Sequence, residues 1–125
     1  MRGLLADTHT LLWWRGSKSR LSTPALEAME DGSTSLFFSA ASVWEIAIKR
    51  AKGKLEVPDR LIETMRDRGF VELPVYAADA LIAGALPAHH GDPFDRMLVA
   101  QAQSEGLTVV TRDPRIAAYG VPVLW

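Results

Sequence analysis

Short apolar runs alternate with longer amphipathic stretches along the chain. Gly3-Leu4-Leu5-Ala6 is a compact apolar run that stops at Asp7, so it reads as a buried strand, with a helix over Thr8 to Trp14 after it. Ser17 to Arg20 reads as a polar loop. Thr23-Pro24 predicts a helix start, with Thr23 as N-cap and Pro24 at the first helical position, running to about Asp31-Gly32. Ser35-Leu36-Phe37-Phe38 is a second buried strand. Ser39 is placed to cap a helix over Ala40 to Ala51, in which Val43, Ile46 and Ala47 fall at helical spacing before Gly53 ends it. Pro58 is expected to open the next helix, with Leu61, Ile62 and Met65 as its apolar stripe.

The same alternation continues to the end of the chain. Val71-Glu72-Leu73 is a brief strand halted by Pro74, and Tyr76 to Ala85 is an Ala-rich helix. After a loop over Leu86 to Gly91, Asp92-Pro93-Phe94-Asp95 starts a helix that runs to about Glu105 and stops at Gly106. Thr108-Val109-Val110-Thr111 is the clearest strand, and Asp113-Pro114 starts one more helical turn. Val121-Pro122-Val123-Leu124 is a last strand whose proline places it at a sheet edge. Strands alternating with helices predict an α/β fold of three layers, α/β/α, around a central parallel sheet of about four to five strands. A length of 125 residues fits one domain over 1–125, with no repeat or linker.

Composition narrows the chemistry. Without cysteine there is no disulfide, no thiolate zinc site and no cysteine nucleophile. No apolar run approaches the roughly 20 residues of a membrane helix, and the first residues reach an acid too early for a signal peptide, so a cytoplasmic protein is expected. A net charge of −1 does not advertise a nucleic-acid binder, but Lys49, Arg50, Lys52 and Lys54 form a local basic run. That run reads either as a solvated helix end or as a phosphate-binding rim near Glu45. Trp13 and Trp14 cannot both face the core of one helix, so one is expected inside and the other free to anchor a partner. His89 and His90 have no metal-spaced partner and read as solvated loop residues.

The acids carry the functional signal through their place in the alternation. Asp7 and Asp113 follow strands directly, and Glu45 lies in the second turn of the helix after a strand. Asp95 opens the helix that runs back against the strand at Thr108. In an open parallel sheet all four positions lie at the carboxyl ends of the strands, where ligands bind. Four carboxylates on one rim repel one another unless a hard divalent cation such as Mg²⁺ or Mn²⁺ joins them, and a metal so held can activate water for phosphodiester cleavage. Each acid also has a local explanation. Asp7, Asp92 and Asp113 are well placed as helix caps, Asp95 favours a helix dipole, and Glu45 can complete a capping box with Ser42 or pair with Lys49. Capping alone does not explain why four of them share one rim.

The chain resembles PIN-domain proteins, specifically the VapC-type toxins of bacterial type II toxin–antitoxin systems. The matching stretches run from Leu4 to Trp14, from Ser39 to Lys49, from Gly53 to Leu55, from Leu86 to Ala102 and from Val110 to Asp113, with Asp92–Ala102 the most specific. The resemblance implies a PIN-like fold and an Mg²⁺- or Mn²⁺-dependent endoribonuclease, with Asp7, Glu45 and Asp95 as core acids and Asp113 as the fourth. It places Thr8, Thr111 and Asp92 in support of them. Lys49, Arg50, Lys52, Arg96 and Arg112 are the candidate RNA-binding rim. The resemblance further implies a homodimer and a cognate antitoxin that covers the site, with Trp13 or Trp14 as a candidate contact. Two other readings compete. One is a catalytically silent PIN-type binding module. The other is an aspartyl-phosphate-type phosphatase built on Asp7, although His9 stands where its general acid is expected.

Overall fold

The computed structural model describes residues 3–125, and its central sheet contains five parallel strands in the order β3-β2-β1-β4-β5. The first half of the chain supplies β1 (Leu4–Ala6), α1 (Thr8–Gly16), α2 (Thr23–Glu30), β2 (Leu36–Ser39), α3 (Ala40–Ala51), α4 (Leu61–Asp67) and β3 (Val71–Leu73). The second half supplies α5 (Ala77–Ala85), α6 (Pro93–Glu105), β4 (Thr108–Val110), α7 (Pro114–Ala117) and β5 (Val123–Leu124). Helices cover both faces of the sheet, as the alternation predicts. No helix among the described residues is long and apolar enough to cross a membrane.

Side-chain alternation along the strands divides the core in two. Leu4 and Ala6 join Leu36, Phe38 and Val110 on one face, where Leu11 and Trp14 of α1, Met29 of α2, Ile46 of α3 and Met65 of α4 pack on them. Leu5 and Val109 point the other way, onto Leu98, Val99 and Ala102 of α6 and Ile116 of α7. Each fully buried leucine in these layers contributes roughly 1.5–3 kcal/mol relative to exposure. Gly3 allows the sheet to close at its amino end. A Cβ there would lie 2.7 Å from the Phe37 ring and 3.0 Å from the Ser35 carbonyl oxygen.

Several expected boundaries move for identifiable reasons. Ser22, not Thr23, caps α2, because its hydroxyl accepts the Ala25 N–H; Thr23 and Pro24 become the first helical residues. Pro58 does not open a helix. The chain turns through Asp59 and through Arg60, which takes a left-handed conformation (φ 56°), before α4 begins at Leu61. Lys18–Arg20, expected as loop, form a 3₁₀ turn. β5 is confined to Val123–Leu124, and it does lie at the edge. Ser39 caps α3 and a left-handed Gly106 closes α6, both as the sequence predicts.

The strand order defines where a site can form. From β1 the chain moves outward to β2 and β3, then crosses back to β4 and β5, so the direction of winding reverses between β1 and β4. Such a reversal opens a crevice at the carboxyl ends of the two strands. Asp7 leaves β1 there, held where its own N–H donates to the Val110 carbonyl oxygen at 3.1 Å. The Thr10 hydroxyl donates to the same carbonyl at 3.0 Å and ties the start of α1 to β4.

Candidate metal centre

The crevice holds a cleft of about 520 Å³ whose walls include Asp7, Glu45, Asp95 and Asp113, together with Asp92 and His90. Local folding positions each acid. Asp7 caps α1 by accepting the Thr10 N–H at 2.9 Å through Oδ1. Asp92 caps α6, its Oδ1 accepting the Phe94 and Asp95 N–H groups at 2.8 and 3.1 Å, which leaves Asp95 in the first turn facing the cleft. Asp113 caps α7 through the Arg115 N–H at 2.9 Å, and the Thr111 hydroxyl oxygen accepts the Asp113 N–H at 3.0 Å. Capping and site-building are therefore the same act for three of these residues.

Glu45 is buried on α3, so its charge needs partners. The Thr8 hydroxyl donates to Oε1 at 2.6 Å, and Lys49, one turn further along, donates to Oε2. This bond to Glu45 raises the Lys49 pKa above its ordinary value, against an opposing effect of burial. The Ser42 hydroxyl donates to the Thr8 oxygen at 3.1 Å, so α1 and α3 are joined beneath the acids.

Electrostatics distinguish Asp95 from its neighbours. Burial, followed by repulsion from Asp92, Asp7, Glu45 and Asp113, pushes its carboxyl up from 3.8 to about 7. Asp113 moves the other way. Burial pushes it up, but hydrogen bonds and charge from Arg115, with a further bond from His90, hold it below the usual carboxylate range. The Arg115 guanidinium donates to Oδ1 and Oδ2 of Asp113, each at 3.2 Å. A carboxylate whose ionisation is opposed first by burial and then by the carboxylates around it has the electrostatics of a cation site. The donor set is nearly all carboxylate oxygen, which suits a hard divalent ion.

His90 is the residue that sequence reasoning placed wrongly. It is 5% exposed rather than solvated. Its Nε2 lies 3.1 Å from Asp113 Oδ2, in hydrogen-bond geometry, and 3.0 Å from Asp95 Oδ2. The available signal was local: a histidine two residues before an Asp-Pro cap can fold back over the start of the helix. Arg115 was also missed, although it lies only two residues beyond Asp113.

The expected rim divides. Lys49 and Arg112 line the cleft. Arg50 faces a different groove, with Pro58 and Asp59, and Lys52 is exposed at the carboxyl end of α3. Arg96 is drawn away from the rim. Its guanidinium donates to the carbonyls of Ala83 and Leu86 at 2.9 Å each, Pro87 at 3.1 Å and His90 at 3.3 Å, closing the end of α5 and tying down the loop before α6. Trp14 is 2% exposed and packs on Phe70, so it belongs to the core and offers no surface to a partner. Trp13 is half-buried at the cleft edge, with the Arg112 guanidinium 4.8 Å above its ring.

Fold and cleft together define an α/β protein with an acidic centre at the switch point of a parallel sheet. Residues 4–122 match the family model of the PIN domain, and the chain belongs to that family. Over 130 aligned residues it is 33% identical to Ribonuclease VapC22 of Mycobacterium tuberculosis (strain ATCC 25618 / H37Rv), covering 98% of this chain and 95% of that protein. The DNA-bound VapBC structure from Salmonella typhimurium shares the fold with a TM-score of 0.70 at 21% identity, covering 99% of this chain and 98% of that one. VapBC2 from Rickettsia felis, bound to a promoter DNA fragment, does so with a TM-score of 0.69 at 12% identity, covering 98% and 96%. The family expected from the sequence is the family found.

Proposed function

We propose that the chain is a divalent-metal-dependent endoribonuclease of the VapC type, the toxin of a type II toxin–antitoxin module, acting as one PIN domain. The observation that carries this reading is the convergence of Asp7, Glu45, Asp95 and Asp113 on one cleft, with Asp95 pushed up to about 7 by burial and the carboxylates around it. Likeness to a ribonuclease over nearly the whole chain supports the choice of RNA as substrate.

On this reading Asp7, Glu45, Asp95 and Asp113 hold Mg²⁺ or Mn²⁺ and are the catalytic set. A bound ion of this kind activates water and stabilises the leaving oxygen in phosphodiester hydrolysis. Thr8 orients Glu45 through its 2.6 Å bond, Thr111 fixes the backbone of Asp113, and Asp92 sets the first turn that presents Asp95. Lys49 and Arg112, at the walls of the cleft, are placed to meet RNA phosphates. A cognate antitoxin covers the cleft with Trp13 as a contact, and the toxin works as a homodimer in the cytoplasm.

The test is cleavage of RNA by the purified protein with Mg²⁺ or Mn²⁺. Activity should disappear with EDTA and in Asp7→Asn and Asp95→Asn, with circular dichroism showing that the fold survives. Full activity in either variant, or activity indifferent to EDTA, refutes the proposal.

A further inference from the structure

We propose that His90 is a positioning residue of the acidic centre and not a metal ligand: its Nε2–H holds Asp113 beside Asp95 while its Nδ1 is fixed as an acceptor. This inference rests on the proposed metal centre and assigns a role to a residue beyond the four acids.

The argument is an accounting of both ring nitrogens. The Asp92 backbone N–H donates to Nδ1 at 3.2 Å. A nitrogen that accepts has no proton, so the proton of a neutral imidazole lies on Nε2. Nε2 faces Asp113 Oδ2 at 3.1 Å and Asp95 Oδ2 at 3.0 Å. A metal-ligating histidine usually does the reverse, donating its second N–H outward to a carbonyl or carboxylate. In His90 the second nitrogen meets a donor, so ligation through Nε2 would require either an imidazolate or loss of the Asp92 bond.

The ring also has little freedom to turn. The His90 N–H donates to the Tyr119 hydroxyl oxygen at 2.9 Å, and its carbonyl accepts from Arg96 at 3.3 Å. The Tyr119 hydroxyl in turn donates to the Pro87 carbonyl at 2.7 Å. Arg96 and Tyr119 thus anchor the backbone on which the imidazole is mounted. The side chain is 4% exposed, so packing confines the ring as well.

The experiment is nitrogen-15 NMR of the imidazoles in the wild-type protein, first with EDTA and then with saturating Mg²⁺. The expected result is a protonated Nε2 and an unprotonated Nδ1 for His90 in both states. A proton on Nδ1 in either state, or loss of the Nε2 proton when Mg²⁺ is added, overturns the proposal. A second measurement titrates Mn²⁺ by electron paramagnetic resonance into His90→Gln and His90→Ala. The glutamine amide supplies an N–H donor, so His90→Gln should retain affinity within about threefold, while His90→Ala should lose about tenfold, as for an outer partner of a metal site. Equal losses in the two variants, or no loss in either, refute the positioning role. If the wild-type protein binds no Mn²⁺ at all, the metal-centre reading fails, and the EDTA spectrum still decides the tautomer.

Discussion

Replacing Asp95 with Asn is expected to stabilise the metal-free protein above neutral pH while abolishing its response to metal. The unperturbed carboxyl titrates at 3.8 and the folded one at about 7, because burial and four other acids oppose its ionisation. A group whose folded pKa is raised gives stability that is fully present below the unfolded value and is lost as pH rises to the folded value. The window for wild type is therefore about pH 4 to 7, with the full penalty in place by pH 8. At ~1.4 kcal/mol per pH unit the span corresponds to about 4 kcal/mol. The Asp95 side chain retains 20% exposure, and solvent screening reduces the figure to about 2–4 kcal/mol. Asn has the shape of the protonated acid and does not ionise. Calorimetric melts in EDTA from pH 5 to 8.5 should show wild type losing stability with rising pH relative to Asp95→Asn. The gap at pH 8 should be roughly 5–15 °C for a chain of this size. Added Mg²⁺ should raise the wild-type melt through preferential binding to the folded state and leave the variant unmoved. If Asp95→Asn melts below wild type at pH 8 in EDTA, or if the gap does not change with pH, the electrostatic reading of the cleft is wrong.

Three further substitutions separate site from scaffold. Asp7→Asn should reduce RNA cleavage more than about 100-fold, beyond the loss typical of an outer partner, while changing stability by under about 1 kcal/mol, because Asn caps a helix as well as Asp does; activity assays paired with urea melts check both halves. Arg96→Ala should cost about 2–4 kcal/mol, because the carbonyls of 83, 86, 87 and 90 lose a charged donor, and Arg96→Lys should recover only part of it; a urea midpoint unchanged in Arg96→Ala would contradict the anchoring role of this guanidinium. Trp13→Ala should weaken binding of the cognate antitoxin in calorimetry without loss of fold, whereas Trp14→Ala should cost about 3–5 kcal/mol of stability.

The alternation of apolar runs and amphipathic stretches was enough to define the layers of this fold, because strand and helix leave different periods in the sequence. The boundary of α3 was legible to the residue, since Ser39 caps it and Gly53 follows it. Pro58 misled because proline favours a helix start equally with a turn. The choice fell to Arg60, whose left-handed backbone nothing in its side chain announces. Strand order was legible only for β5, whose Pro122 placed it at an edge. Local periodicity says nothing about which strand lies beside which, yet the placement of β1 beside β4 is what brings Asp7 near Asp113.

For the acids, local sequence was ambiguous in a way the structure explains. Asp7, Asp92 and Asp113 are helix caps in fact, so the structural reading of each was correct and did not compete with the functional one. A helix that begins at the carboxyl end of a strand directs its first N–H groups toward the same crevice that receives ligands, and an acid placed to cap it is already at the rim. His90 and Arg96 were misread because their partners lie outside their own turn or helix. His90 meets Asp113 across 23 positions, and Arg96 finds its carbonyls in the loop behind it. Charge alone assigned Arg96 to the RNA rim. The geometry shows that a cation next to an acid of the cleft serves the scaffold when unpaired carbonyls lie closer than the cleft. Lys49 differs because its partner Glu45 is itself on the cleft wall, so the ion pair that stabilises the buried acid also keeps a positive charge on that wall.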